Sequence, residues 1–373
     1  MDGVLLDIPF FYKEASFLVS YWFIFWNKFL TNPYLLCTSE IASTYFPHWL
    51  WMGRKWQAKD DIYYKEPASI PFLSMWYWPN VLVSKLTNFL IIDSSMRLYA
   101  YFIISHYLLA SLIAYKVMGL FGAITLTYAG YCIKPQTPSF VYTMCWMPGM
   151  LLDGWMGPFS CFMAITGGYW PIFVYFMPFA AIVNPLCLIG IIPALCQIIP
   201  FLKYWPKSVR SEMKIDRNIG KLHWSDLKYL FIPRRSTGLI NGVHYPETEM
   251  YMGIAVLFIW QASWWWITAV YSIFVLCSFL NPIQRIPARA LYLLTFSLVY
   301  LSNNNYASPV LILLQVLLLL RNSSIYPSFP FSQWWDKPSK LYSSHPYNGV
   351  WPNCTGYLNE QRISSYKGAF ALR

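Results

Sequence analysis

Glu40 stands at the mouth of an apolar segment, just after Cys37-Thr38-Ser39, where the chain first becomes too polar to sit inside a bilayer. A carboxylate where a membrane helix meets water is a functional-site residue by default, because such a charge is costly to keep there. Its bland alternative is an ion pair with Arg54 or Lys55, or a helix N-cap. Two more acids, Asp60 and Asp61, are adjacent on a polar turn and can act as a second acidic element or simply be solvated. The complementary chemistry is cationic. Arg210, Arg234 and Arg235 lie in a basic stretch, the last two directly after Pro233. A guanidinium meets phosphate oxygens through a planar fork, so this pair suits a phosphate clamp; the alternative is unselective binding of anionic lipid head groups.

The remainder of the chain must position these groups, and its composition says in what medium. Of 373 residues, 57% are hydrophobic, 20% aromatic and only 12% charged. Soluble domains carry about a quarter charged residues, so the pattern points to an all-α integral membrane protein, a multi-pass helical bundle. The net charge of +11 falls outside the apolar segments and comes with no nucleic-acid motif, which favours anionic lipids or phosphates over nucleic acid as partners. Eight scattered cysteines include no C-x-x-C pair and read as small buried hydrophobes. Cys37 and Cys354 could pair only if both face an oxidising compartment. His223 and His244 lack metal-ligand spacing. Asp2, Asp7 and Glu14 stand where a signal peptide would be basic, so no cleavable leader is expected.

Roughly 20 apolar residues cross the hydrocarbon, and on that measure the sequence predicts about ten spans. Residues 1–36 hold the first, from about Ala15 to Leu36, interrupted by Asn27 and Lys28. Residues 37–96 form a long polar loop with interfacial helices, rich in proline and tryptophan from Ile70 to Asn80, which the resemblance described below would make exterior. Residues 97–202 form a transmembrane bundle with spans over 97–118, 119–133, 140–155, 158–166, 171–183 and 186–202. Turns are expected at 134–139, Gly167-Gly168 and Asn184-Pro185, and a short interior turn at Asp153-Gly154. His106 reads as packed within the bundle rather than catalytic. Residues 203–248 make a basic loop, exterior if the resemblance described below holds, with nine Lys or Arg against three acids between Lys203 and Arg235. Further spans occupy 249–321, and 322–373 is a polar C-terminal segment.

Five stretches, in order, resemble the YfhO-like family of bacterial membrane proteins, within the C-type glycosyltransferase superfamily. They are Ser39-Glu40 with Tyr45-Phe46-Pro47; Thr127-Tyr128-Ala129-Gly130-Tyr131 with Trp146-Met147-Pro148; Gly167-Gly168-Tyr169-Trp170-Pro171; Ile198-Ile199-Pro200 with Ser208-Val209-Arg210 and Leu230-Phe231-Ile232-Pro233; and Arg285-Ile286-Pro287-Ala288-Arg289. The chain departs from the family in carrying Glu40 where Asp is usual and Tyr169 where the family tends to carry His. It is also shorter than most members, which implies a reduced, truncated or split member, or a partner chain supplying a C-terminal region.

The resemblance implies an enzyme of the bacterial cytoplasmic membrane that moves a sugar from a polyprenyl-phosphate carrier to a cell-envelope acceptor. Under it, Glu40 is the catalytic base, Asp60 and Asp61 position the acceptor or a divalent metal, and Arg210, Arg234 and Arg235 hold the carrier phosphate. The positive-inside rule would place the basic loop in the cytoplasm, whereas the resemblance places it outside. Six crossings between the two polar segments put both on one face in either orientation. Two other classes compete: a non-catalytic or truncated membrane scaffold, and a lipid or solute transporter. A transporter should show internal repeats, and none is visible.

Overall fold

The computed structural model describes residues 8–31, 49, 77–87, 89–90, 92–133, 138–204, 239–240, 243–244, 296, 299–300 and 317. These residues are helical, apart from short turns between helices and a ladder of two residues per strand. Two stretches among them are long and apolar enough to cross a membrane, Arg97–Leu120 and Pro185–Leu202. The chain groups into two compact units: the first holds 1–31, 104–133 and 217–326, the second 32–103, 134–216 and 327–373.

In the first unit, helix α1 (Ile8–Thr31) runs unbroken through Asn27 and Lys28, which the sequence reading takes as an interruption. Asn27 is tolerated because it points outward. Leu18, Tyr21, Trp22, Trp26 and Phe29 recur at helical spacing and are buried, making one apolar stripe. Trp26 packs on Tyr107 at 4.6 Å between ring centroids. The Thr31 hydroxyl donates to the Asn27 carbonyl at 3.0 Å, closing the last turn. Strands β1 (Leu239–Ile240) and β2 (Val243–His244) pair antiparallel, Ile240 opposite Val243.

Helix α3 (Ile92–Ile133) contributes residues to both units. Its ladder breaks at Gly119, where φ is 70°, so the expected boundary between 97–118 and 119–133 coincides with a real break. His106 is buried, and Ser111 donates back to the Tyr107 carbonyl at 2.8 Å, which satisfies its hydroxyl inside an apolar setting.

The second unit contains helix α2 (Trp78–Leu86), α4 (Pro138–Trp146), a 3-10 turn (Pro148–Leu151), α5 (Met156–Thr166), α6 (Trp170–Val183), a second 3-10 turn (Pro185–Gly190) and α7 (Ile191–Tyr204). Every residue of α4 is buried. The sequence predicts one span over 140–155, but α4 stops at Trp146. Pro148 has no N–H to donate, and the chain tightens into i→i−3 bonds, Met147 N–H to Met144 O at 3.3 Å and Met150 N–H to Met147 O at 3.2 Å. Nine helical residues rise about 13 Å, less than half the hydrocarbon thickness. The expected turn at Asp153-Gly154 is present, with φ of 66° at Gly154, but it lies on the surface and not in the interior, where the Asp153 carboxylate would lose its contact with water. The turns at Gly167-Gly168 and Asn184-Pro185 also fall where the sequence places them. The Asn184 amide nitrogen donates to the Met150 and Leu152 carbonyls at 3.1 and 2.7 Å, tying two turns together.

Candidate functional site

The polar chemistry that the structure describes is concentrated where α2 meets α4. Helix α2 is built inside out: Asn80 and Ser84 are buried, while Trp78, Leu82 and Leu86 are exposed. Asn80 and Ser84 are four residues apart and share a face, as do the three apolar residues. Tyr77, just before the helix, is fully buried and stacks on Tyr142 of α4, 4.7 Å between centroids at 12°. Trp146, four residues on from Tyr142, donates its indole N–H to the Tyr77 hydroxyl at 2.9 Å. The Tyr142 hydroxyl donates to the Asn80 side-chain oxygen at 3.5 Å and lies within reach of Tyr99. Phe102 meets the Tyr142 ring edge-on at 5.8 Å, and Trp49 lies 5.2 Å from Tyr99.

Next to Tyr142 on the same helix, the Thr143 hydroxyl donates to the Ala164 carbonyl and accepts the Tyr169 backbone N–H, both at 3.0 Å. Gly167 makes that junction possible. A Cβ there would stand 2.6 Å from the Thr143 nitrogen, so no larger residue lets the α5–α6 turn approach so closely. The Gly-Gly-Tyr-Trp stretch is therefore anchored on α4 through one threonine.

This cluster is neutral. Burial, and then the neighbouring Cys145 thiol, hold the Tyr77 phenol well above its usual range, and the Trp146 indole offsets this only in part. The Tyr77 phenol cannot serve as a base near neutral pH. Such a set can fix geometry and offer hydrogen bonds, but it cannot move a proton or hold an anion by charge. Among the described residues no group of three or more His, Cys, Asp or Glu side chains stands close enough to hold a metal ion.

Glu40, Asp60, Asp61, Arg210, Arg234 and Arg235 all lie outside the described residues, as does the Arg285–Arg289 stretch. The Tyr77, Asn80, Tyr142 and Trp146 cluster was not singled out by the sequence reading. Its signal was the reversed pattern of α2, with polar residues at 80 and 84 against apolar ones at 78, 82 and 86.

No protein-family model, curated protein or solved structure matches this chain.

Proposed function

We propose that this chain is a multi-pass helical protein of a bacterial cytoplasmic membrane that transfers a sugar from a polyprenyl-phosphate carrier to an envelope acceptor. The observation that carries the membrane part is the segment Pro185–Leu202, which is long and apolar enough to span. It turns most of its large apolar side chains outward. The transfer chemistry rests on the five ordered stretches and on residue types. Glu40 takes the acceptor proton, Asp60 and Asp61 position the acceptor or a metal, and Arg210, Arg234 and Arg235 hold the departing phosphate. The neutral Tyr77–Tyr142 cluster is the rigid packing on which such a site would be mounted.

The test is native mass spectrometry of the purified chain against an Arg234→Ala/Arg235→Ala double variant. A polyprenyl phosphate retained by the wild type and lost by the variant supports the reading, and Glu40→Gln should then abolish sugar transfer while retaining the lipid. Absence of such a lipid from both proteins would overturn it. The neutrality of the described cluster favours one other reading, a non-catalytic membrane scaffold, and that second outcome would select it.

A further inference from the structure

The segment Pro185–Leu202 carries no charged residue, and its only amide side chain, Gln197, faces inward. Cys187, Gly190, Ala194 and Gln197 recur at helical spacing and are buried. At Gly190 an added Cβ would collide with the Pro158 carbonyl oxygen and Cys161 of α5, so small residues bring the two backbones together as in membrane helix pairs. The opposite face is Leu186, Ile189, Ile192, Leu195, Ile199 and Leu202, all exposed, Ile192 to 66%. A water-soluble helix would bury that face and expose the glutamine.

The length of this face and its two ends indicate what covers it. Six residues of 3-10 turn and twelve of α-helix rise about 30 Å, close to the hydrocarbon thickness. At the start, Asn184 holds the Met150 and Leu152 carbonyls, which brings the turn bearing Asp153 and Trp155 alongside. Trp155 is 71% exposed. At the far end, Phe201 packs against Trp170 at 4.2 Å between centroids, and Lys203 opens the basic segment. An exposed tryptophan therefore marks the start of the apolar face, as in the aromatic belts of membrane proteins, and the basic segment follows its end.

We infer that this face lies directly against lipid acyl chains, with Trp155 at one head-group level and the junction with the basic segment at the other, so that residues 186–202 cross the bilayer as an outer wall of their unit. This rests on the bilayer reading proposed above, not on the sugar-transfer chemistry.

Cys196 is exposed partway along the segment and serves as a native probe. The full chain is reconstituted into phosphatidylethanolamine–phosphatidylglycerol vesicles, washed with alkaline carbonate and treated with a charged, water-soluble maleimide. Peptide mass spectrometry reads each thiol, with Asp153→Cys as the water-facing reference. Cys196 should react at least about tenfold more slowly than that reference and recover full reactivity on denaturation. Equal reactivity in protein that survives the carbonate wash would overturn the lipid-facing assignment alone. Release of the chain by carbonate would overturn the bilayer reading itself. A benzoylphenylalanine at position 192 then decides the occupant: a phospholipid adduct supports the inference, and a cross-link to a second copy of the chain overturns it.

Discussion

Pro138–Trp146 and Pro185–Leu202 both lack a charged residue, yet every residue of the first is buried while most large side chains of the second face outward. Overall apolarity does not separate them; the placement of groups that need a partner does. Around α4, Tyr142 reaches Asn80, Trp146 reaches Tyr77, and Thr143 reaches Ala164 and the Tyr169 backbone. Each bond must end on protein, so α4 has protein on every side that carries such a group. In Pro185–Leu202 the one amide lies on the buried face and the other face asks for nothing. Among apolar helices, hydrogen-bonding side chains are what mark the sides that face protein.

The comparison breaks most visibly through truncation. Tyr142→Ala removes a ring that stacks on Tyr77 and meets Phe102, and it leaves Asn80 without the hydroxyl. A loss of about 3–5 kcal/mol is expected, as for large aromatic deletions in packed cores. Ile192→Ala removes a comparably apolar side chain from the outward face and should change stability by no more than about 0.5 kcal/mol. Thermal unfolding in one detergent compares the two directly. Equal losses would mean that the outward face is packed against protein.

A smaller effect is expected where the two regions are stitched together. Asn184→Ala strips the donor from the Met150 and Leu152 carbonyls at the junction of α4's exit turn with Pro185–Leu202. Leaving buried carbonyls without a donor costs about 1–3 kcal/mol. Asn184→Asp should not restore it, because an ionised carboxylate has no N–H to offer. Unfolding midpoints of the three proteins check this, and full rescue by Asp would show that backbone geometry alone fixes the turn.

Much of this frame was legible in the sequence, because turns are written in residues with special backbone demands. Gly119, Asp153-Gly154, Gly167-Gly168 and Asn184-Pro185 each mark a break in the structure. The misreading at 140–155 came from treating an apolar run as one helix across Pro148, whose missing N–H ends the regular ladder. At Asn27 the difference runs in the other direction, since a polar residue on the outward side of a helix does not interrupt it. The short ladder at 239–244 has a sequence signal in Asn241-Gly242, the dipeptide most favoured in tight hairpins. The buried cluster was harder to foresee, because stacking of Tyr77 on Tyr142 joins residues far apart in sequence. Of the site, sequence supplied the residue types at 40, 60, 61, 210, 234 and 235, and no periodicity could say which of them meet.

The smallest effect tests whether the α2–α4 interior is as closed as α4's burial implies. Burial holds the Tyr77 phenol above the ordinary value near 10, so the unfolded chain ionises first as pH rises. The contribution of this group to stability is then complete below about pH 10 and is lost above it, at up to about 1.4 kcal/mol per pH unit while the folded form stays protonated. Tyr77→Phe has no such proton to lose, and it also leaves the Trp146 indole N–H without its acceptor. Wild type should therefore exceed Tyr77→Phe in stability at pH 8, and the gap should narrow by pH 11. A gap that stays constant over that range would mean that the phenol ionises freely in the folded protein and that water reaches the cluster. In that case the contrast between an enclosed α4 and an outward-facing Pro185–Leu202 would be one of degree rather than of kind.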